Sequence, residues 1–242
     1  MKIVVRAALA LAAALALTGC HKSDDAAFDN RVHAYLMAHP EVIREAADKL
    51  RDKDRAALAK ASTDALSKYR QKLERDPRDF VANPNGSITV VEFFDYRCGY
   101  CKLAAPQVVQ LIKEHPDVRF VFKEFPIFGD VSDAAAKIAL SPQAKAKGLD
   151  IYQGWMGEKA LTNATIDSHL KDAGVDVAAA RKAAADPAIE RQLLDTRVLA
   201  SALRLEGTPA FVIGDTLVPG ADMAAVRAAI TVAKADKLKT VS

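Results

Sequence analysis

The sequence predicts an α/β domain in which a long helical segment separates two groups of strands. Four segments are rich in β-branched and aromatic side chains, as buried strands are: residues 87–94, 118–125, 210–213 and 216–218. Residues 79–83 predict a further, short strand ahead of them. A helix-like stretch, residues 98–115, lies between the first two of the four, and an Ala-rich helical region, from about residue 131 to 205, follows the second. A last helix is predicted from Asp222 to about residue 237. The simplest arrangement of this order is an α/β domain with a helical insertion.

The first 19 residues predict an export signal. Lys2 and Arg6 form a short basic start, and an apolar run too short and too Ala-rich for a membrane span follows. The run ends in Leu17-Thr18-Gly19-Cys20, which resembles the bacterial lipobox, whose cysteine becomes the lipidated first residue of the mature protein. The residue after Cys20 is His21 rather than Asp, and by the sorting rules of the lipoproteins that this segment resembles, that favours the outer membrane. The alternative is an ordinary cleaved signal with an incidental cysteine.

Residues 21–27 are largely polar, so residues 20–28 predict a tether, and residues 29–75 predict a helical arm. Pro40 interrupts the apolar pattern and suits the first position of a second helix. A helix from there to residue 75 would be about 50 Å long, which exceeds the span of a small domain. Such a helix either wraps its own domain or pairs with other copies of the chain.

The motif Cys98-Gly99-Tyr100-Cys101 closes a predicted strand and opens a predicted helix, which is typical of a redox pair. A thiolate at a helix N-terminus faces free N–H groups and the positive end of the helix dipole, which lower its pKa. A cysteine one turn further on can resolve a mixed disulfide. The alternative is part of a zinc site, but the chain has three cysteines and lacks a second ligand pair.

Composition excludes several other functions. The formal net charge of +3 favours neither a nucleic-acid partner nor an acidic substrate. The five histidines are scattered without metal-ligand spacing, so we expect no metal and no cofactor. Export to an oxidising compartment with a single vicinal cysteine pair favours a reactive pair over an architectural disulfide.

The cysteine motif, followed about a hundred residues later by Gly207-Thr208-Pro209, resembles the thioredoxin superfamily, and the helical insertion resembles its DsbA-like exported branch. The resemblance implies a thioredoxin domain over residues 79–130 and 205–242, with an inserted helical subdomain over residues 131–204. In that family the proline is cis and lies against the active-site disulfide. Pro209 would then be the cis proline, and the Thr208 backbone would be presented to an extended substrate.

Glu92 lies six residues before Cys98, where DsbA-like proteins keep a buried acid beneath the active site. By this resemblance its carboxylate can accept the proton of Cys101. Lys123, in the neighbouring predicted strand, is a candidate ion-pair partner for Glu92. A purely structural ion pair at a strand end is the alternative.

The resemblance favours one activity within the family. Gly99-Tyr100 replaces the Pro-His dipeptide of the strong oxidase, and a threonine before the cis proline resembles the isomerases. Residues 32–50 resemble the N-terminal arm of ScsC-like isomerases, which oligomerise through it, and the same arrangement occurs in DsbA-family outer-membrane antigens. We therefore expect a lipid-anchored periplasmic disulfide isomerase or reductase, trimeric or dimeric, that acts on misfolded exported proteins and draws electrons from an inner-membrane partner.

Two rivals remain. A DsbA-like dithiol oxidase would use the same two cysteines in the opposite direction, re-oxidised by a quinone-linked membrane protein. A non-catalytic surface protein could retain the fold, although both cysteines are intact. A copper chaperone would also use thiolates, but the sequence has no Met-rich or His-rich tract.

Overall fold

The structure is a computed structural model that describes residues 23–241. The predicted export signal, residues 1–19, and the predicted lipidation site Cys20 lie outside the described residues. The N-terminal helices are α1 (Ser23–Ala38) and α2 (Glu41–Glu74). The strands are β1 (Phe80–Ala82), β2 (Ile88–Phe94), β3 (Val118–Glu124), β4 (Ala210–Ile213) and β5 (Thr216–Pro219). The other helices are α3 (Gly99–Glu114), α4 (Asp130–Ala139), α5 (Pro142–Lys145), α6 (Gly148–Gly157), α7 (Asn163–Asp172), α8 (Val177–Ala184), α9 (Pro187–Ala202) and α10 (Met223–Val241).

The chain divides into two compact units, one ending at Ala59 and the other beginning at Lys60, so the division falls inside α2. In the first unit, α1 begins at Ser23, within the segment predicted to be a tether, where Ala26 and Ala27 are strong helix formers. Large apolar side chains of this unit are exposed to solvent: Phe28, Val32, Tyr35, Met37, Ile43 and Leu50.

The second unit is built on a five-stranded sheet in the order β1-β3-β2-β4-β5. Strands β2 and β3 are parallel, and the other neighbouring pairs are antiparallel. The two parallel strands are buried along their whole length, as the continuous apolar runs in the sequence predict. The α/β class, the order of strands and helices, and the helical stretch between β3 and β4 are all as predicted.

Each face of the sheet has its own hydrophobic core. On one face, Leu66 and Leu73 from α2 pack with Val91, Phe93 and Val121. The part of α2 after Lys60 is therefore held by burial of apolar surface within the second unit. On the other face, alternate residues of β2 and β3 (Val90, Phe94, Phe120 and Phe122) pack against α3 and against the helices that follow β3. Tyr152 and Trp155 of α6 belong to this core. No helix among residues 23–241 is long and apolar enough to cross a membrane.

Candidate active site

Cys98 lies at the point where β2 gives way to α3. It is the residue immediately before the helix, with extended backbone (φ −70°, ψ 121°), and its N–H donates to the Asp95 carbonyl at 3.1 Å. Its sulfur lies 3.1 Å from the carbonyl oxygen of Thr208, and the Thr208–Pro209 peptide bond is cis, as the resemblance implied. The fold thus brings together the two motifs that the sequence places far apart.

The two active-site thiols are unlinked in the structure and differ sharply in environment. Cys98 retains 3% of its surface, whereas Cys101, one helical turn on, retains none, so Cys98 is the sulfur that a substrate can reach. A hydrogen bond from the Cys101 side chain lowers the pKa of Cys98 to about 5, and the backbone N–H groups of Tyr100 and Cys101 act in the same direction. Partial burial opposes this shift.

The pKa of Cys101 is shifted in the opposite direction. Burial raises the pKa of the Cys101 thiol far above its ordinary value, and the hydrogen bond to Cys98 and the negative charge of Glu92 add to the effect. Cys98 is therefore a thiolate near neutral pH while Cys101 remains a thiol. This asymmetry is what a nucleophile and its resolving partner require.

Glu92 is buried in the middle of the sheet face that carries α3, with 2% of its surface exposed. The hydroxyl of Tyr152, from α6, lies 3.1 Å from each of its two carboxyl oxygens. Burial raises the pKa of Glu92 to about 8, and the hydrogen bond from Tyr152 opposes that rise. Sequence reasoning missed Tyr152, because its contact with Glu92 joins residues 60 positions apart.

The predicted pairing of Glu92 with Lys123 is wrong. In the parallel register Glu92 is level with Phe122, and Lys123 is level with Phe93. Because side chains alternate between faces along a strand, Lys123 points to the face opposite Glu92. There its buried ammonium group forms an ion pair with Asp79 and donates to the Lys72 carbonyl at 2.6 Å.

The buried carboxylate of Asp95 fixes the loop beside Cys98, a role that no pattern in the sequence predicts. One of its oxygens accepts hydrogen bonds from the Ile127 and Phe128 N–H groups, at 2.7 and 3.1 Å. The other accepts from the Ser132 hydroxyl and the Arg97 N–H, both at 2.7 Å. The segment after β3 is thereby held against the turn that carries the reactive cysteine.

An apolar rim flanks the cysteine motif. The rim consists of four exposed side chains, two on the first turns of α3 and two in the loop held by Asp95: Tyr100, Leu103, Ile127 and Phe128. On the side of the cis proline, a groove of about 350 Å³ is lined by Leu205, Thr208, Pro209, Leu217 and Pro219, among others. Within residues 23–241, no three His, Cys, Asp or Glu side chains are grouped so that they could hold a metal ion.

Comparison with known proteins agrees with this geometry. The family model of the DsbA-like thioredoxin domain matches residues 89–230, which is more than half of the chain. The model of the copper resistance protein ScsC N-terminal domain matches residues 24–57. The N-terminal helical segment and the cysteine-containing domain are thus matched by two separate family models.

Solved structures of similar proteins cover most of the chain. BcfH of Salmonella enterica Typhimurium is 32% identical, with a TM-score of 0.71 over 88% of this chain and 96% of that one. A thioredoxin-like oxidoreductase from Silicibacter pomeroyi is 34% identical, with a TM-score of 0.65 over 68% and 97%. Proteus mirabilis ScsC in a transitional conformation is 26% identical, with a TM-score of 0.65 over 90% and 98%.

Two curated relatives are much longer proteins. The Na(+)/H(+) antiporter NhaA 3 of Salinispora tropica is 38% identical over 74 residues, and NhaA 1 of Salinispora arenicola is 28% identical over 164 residues. The chain spans 11% and 25% of their lengths. Taken together with the paired thiols and the cis proline, the family matches show that the chain belongs to the DsbA-like thioredoxin-domain family of thiol–disulfide oxidoreductases, with an ScsC-type N-terminal domain ahead of the thioredoxin domain.

Proposed function

We propose that the protein is a lipid-anchored periplasmic thiol–disulfide interchange protein that works mainly as a disulfide isomerase or reductase on misfolded exported proteins. The observation that carries thiol–disulfide interchange is the barely exposed Cys98 sulfur beside the cis Thr208–Pro209 peptide, with the buried Cys101 thiol behind it. The Gly99-Tyr100 dipeptide and Thr208 favour the isomerase or reductase direction. The predicted signal and Cys20 support export and anchoring, with the outer membrane favoured by His21.

The reaction begins at Cys98. Its thiolate attacks a non-native substrate disulfide, forms a mixed disulfide and releases one substrate sulfur as a thiolate. In isomerisation a substrate thiolate then attacks the mixed disulfide, and Cys98 leaves with no net change in oxidation state. In reduction Cys101 attacks instead, the enzyme becomes a disulfide, and two electrons pass to the substrate. An inner-membrane reducing partner would then restore the dithiol.

The surroundings of Cys98 suit an unfolded chain as substrate. The apolar rim formed by Tyr100, Leu103, Ile127 and Phe128 offers contacts to apolar side chains that a folded substrate would bury. The backbone of Thr208 offers main-chain hydrogen bonds to a substrate strand, and such bonds depend little on the sequence of the substrate. Together they favour broad recognition of misfolded proteins over recognition of one partner.

The first unit is proposed to join several copies of the chain. Its exposed apolar side chains include Phe28, Val32 and Tyr35, which are spaced four and three residues apart and so share one face of α1. Burial of such a face against other copies would remove it from water. A trimer or a dimer would place several Cys98 thiols on one particle, which suits an isomerase that must rearrange several disulfides of one substrate.

A dithiol oxidase is the second candidate, favoured by the acidity of Cys98. A strongly stabilised thiolate favours the dithiol over the disulfide, which makes the disulfide form a better oxidant. An oxidase would transfer its disulfide to reduced substrates and be re-oxidised by a quinone-linked membrane protein.

Reactivation of a scrambled-disulfide substrate under mildly reducing conditions tests the proposal. The protein carries Cys20→Ser, and a monomeric thioredoxin is the reference. We expect reactivation well above the reference, and its loss in Cys98→Ala. Deleting residues 29–59 then shows whether the first unit contributes. Absence of reactivation, together with rapid oxidation of a reduced substrate by the disulfide form, would replace the isomerase with the oxidase.

A further inference from the structure

Both hydrogen bonds that the structure gives the Glu92 carboxyl group come from Tyr152, a residue of the helical stretch between β3 and β4. We propose that Tyr152 is a positioning residue that holds Glu92 as the proton acceptor for Cys101 when the mixed disulfide is resolved. This inference rests on the proposed function of the cysteine pair. It adds to that function a residue from a different part of the chain.

Three buried groups interact through their charges in this interior. The charge of Glu92 acts on Cys101, and the charges of Glu92 and Cys101 both act on Tyr152. The charge of Glu92 also acts on two further buried titratable groups, Tyr96 and Glu124, and Tyr96 acts on Tyr152. The Tyr96 hydroxyl donates to Glu124 at 2.8 Å and so forms a second buried tyrosine–carboxyl pair. The charge of Glu92 is thus felt at Cys101, and the Tyr152 hydroxyl is hydrogen-bonded to Glu92.

A hydroxyl partner suits a carboxyl group that must change its protonation state. A phenol donates a hydrogen bond to the carboxylate, and its oxygen accepts one from the protonated acid. A lysine in the same place would stabilise only the ionised form. Lys123, the cation expected there, points to the opposite face of the sheet and is bound to Asp79. Glu92 is therefore free to titrate near neutral pH, where a proton acceptor for a thiol is effective.

The ring of Tyr152 is fixed independently of its hydroxyl. It packs edge-on against Phe94 and Phe122, with ring centroids 5.4 and 4.9 Å away. Removing the hydroxyl with Tyr152→Phe should leave these contacts in place. The substitution therefore separates the hydrogen bond to Glu92 from the packing of α6 on the sheet.

Atoms and electrons balance in the proposed step. In the mixed disulfide the Cys98 sulfur is bonded to a substrate sulfur, and Cys101 is a thiol. The Cys101 proton passes to the Glu92 carboxylate, and the Cys101 sulfur attacks the Cys98 sulfur. The bond between Cys98 and the substrate breaks, and the substrate sulfur leaves as a thiolate with the bonding electron pair. The enzyme pair is oxidised by two electrons, the substrate sulfurs are reduced by two, and Glu92 carries the proton.

The test measures formation of the mixed disulfide by Cys98 and its resolution by Cys101 as two separate rates. The dithiol protein carrying Cys20→Ser is mixed with oxidised glutathione, quenched with acid at intervals and analysed by mass. Formation of the glutathione adduct reports the attack by Cys98, and its decay reports resolution by Cys101. Both rates are measured from about pH 5 to 9, a window that brackets the raised pKa of Glu92, about 8.

We expect Tyr152→Phe to leave adduct formation unchanged and to slow adduct decay about tenfold at pH 7, as a rise of about one unit in the pKa of Glu92 would do. The midpoint of the decay profile should move to higher pH. Glu92→Gln should remove this midpoint, and the double variant should behave like Glu92→Gln alone. Tyr96→Phe, which removes a matched buried hydroxyl, should leave the midpoint in place.

The possible outcomes distinguish the role of Tyr152 from the function of the cysteine pair. A native decay profile in Tyr152→Phe, with the midpoint lost in Glu92→Gln, would overturn the role of Tyr152 alone. A native profile in Glu92→Gln would overturn the role of both residues. Absence of any glutathione adduct at Cys98 in the parent protein would overturn the proposed function itself, whatever residue stands at position 152.

Discussion

The Cys98 sulfur and the Thr208 carbonyl oxygen lie 3.1 Å apart, although 110 residues separate them in the chain. The helix N-terminus supplies N–H groups to the sulfur, and the segment with the cis peptide covers it from the other side. A substrate sulfur must therefore approach between the first turn of α3 and the Thr208–Pro209 segment. The reactivity of Cys98 therefore depends on the N–H groups at the start of α3 and on the Thr208–Pro209 segment.

Alkylation of Cys98 should follow a thiolate of low pKa. In the protein with Cys20→Ser, we expect the rate of reaction with iodoacetamide to rise with a midpoint near pH 5. Cys101→Ala removes the hydrogen bond that contributes most to this acidity, so the midpoint should move up by about one to two units. Mass spectrometry of the labelled protein gives both profiles. A midpoint near the ordinary value of about 8.5 in the parent protein would contradict the assigned environment.

The two cysteines should give opposite results when each is removed in the presence of a protein substrate. Cys101→Ala leaves the nucleophile without its resolving thiol, so mixed disulfides at Cys98 should accumulate. Cys98→Ala should form none, because the remaining thiol is buried and held protonated. Non-reducing gels after an acid quench distinguish the two. Equal trapping by both variants would show that the roles of nucleophile and resolving thiol are not divided in this way.

Glu92→Gln should stabilise the dithiol protein at high pH and have little effect at low pH. The folded-state pKa of about 8 lies above the ordinary 4.5, so the folded protein holds a proton that the unfolded chain has lost between these values. Native stability therefore falls as pH rises through this window, by about 1.4 kcal/mol for each unit of raised pKa. Gln mimics the neutral acid and avoids that loss. Urea unfolding at pH 5 and pH 9 gives the free energy of unfolding of the parent protein and of Glu92→Gln. If the two proteins differ by the same amount at both pH values, that would contradict a neutral Glu92.

Lys123→Met should destabilise the protein by about 3–5 kcal/mol, because it leaves the buried Asp79 without its cation. Asp79 also accepts from Gln192 of α9 at 3.1 Å, so the pair holds several elements together. The double variant with Asp79→Asn should recover most of the loss, since neither buried charge then remains.

Lys60→Met is the matched control for this experiment. Its ammonium group pairs with Asp64 on the exposed surface of α2, where side chains are 76% and 64% exposed. An exposed pair of this kind contributes about 0–1 kcal/mol. Denaturant unfolding of the three variants gives the comparison, and a similar cost for Lys60→Met and Lys123→Met would show that burial does not determine the effect.

Leu103→Ser should impair the reaction with misfolded proteins and spare the reaction with oxidised glutathione. The residue is 69% exposed on the apolar rim, next to the turn that carries both cysteines, and a small disulfide has no apolar segment to contact it. Val198→Ser removes a similarly exposed side chain from α9 as the control. A parallel loss with both substrates would assign Leu103 to the stability of the site rather than to substrate binding.

The sequence revealed those parts of the molecule whose signals are local. The apolar runs of β2 and β3 mark buried parallel strands, and the spacing of Cys98 and Cys101 marks a strand-to-helix redox turn. Thr208 and Pro209 could be placed only through family resemblance, because nothing local to a Thr-Pro pair shows that it packs against a distant cysteine.

The group that contacts Glu92 could not be identified from local signals in the sequence. Alternation within β3 was visible, but the register between β2 and β3 was not, and a shift of one residue moves every side chain to the other face. Lys123 was therefore assigned to the wrong face. Tyr152 and the bonds to Asp95 join segments far apart in the chain, and such contacts leave no periodic signal in the sequence.

The placement of Tyr152 has a consequence for protein engineering. The stretch from α4 to α8 contains no strand of the sheet, so a minimal scaffold without it would keep both cysteines, Pro209 and Glu92, as well as α9, whose Leu199 packs on the sheet. It would nevertheless lose the hydroxyl that contacts the buried acid. Transplanting the four-residue cysteine motif into a smaller thioredoxin would therefore carry over the nucleophile without the proton-handling chemistry behind it, and a faithful graft would have to include α6.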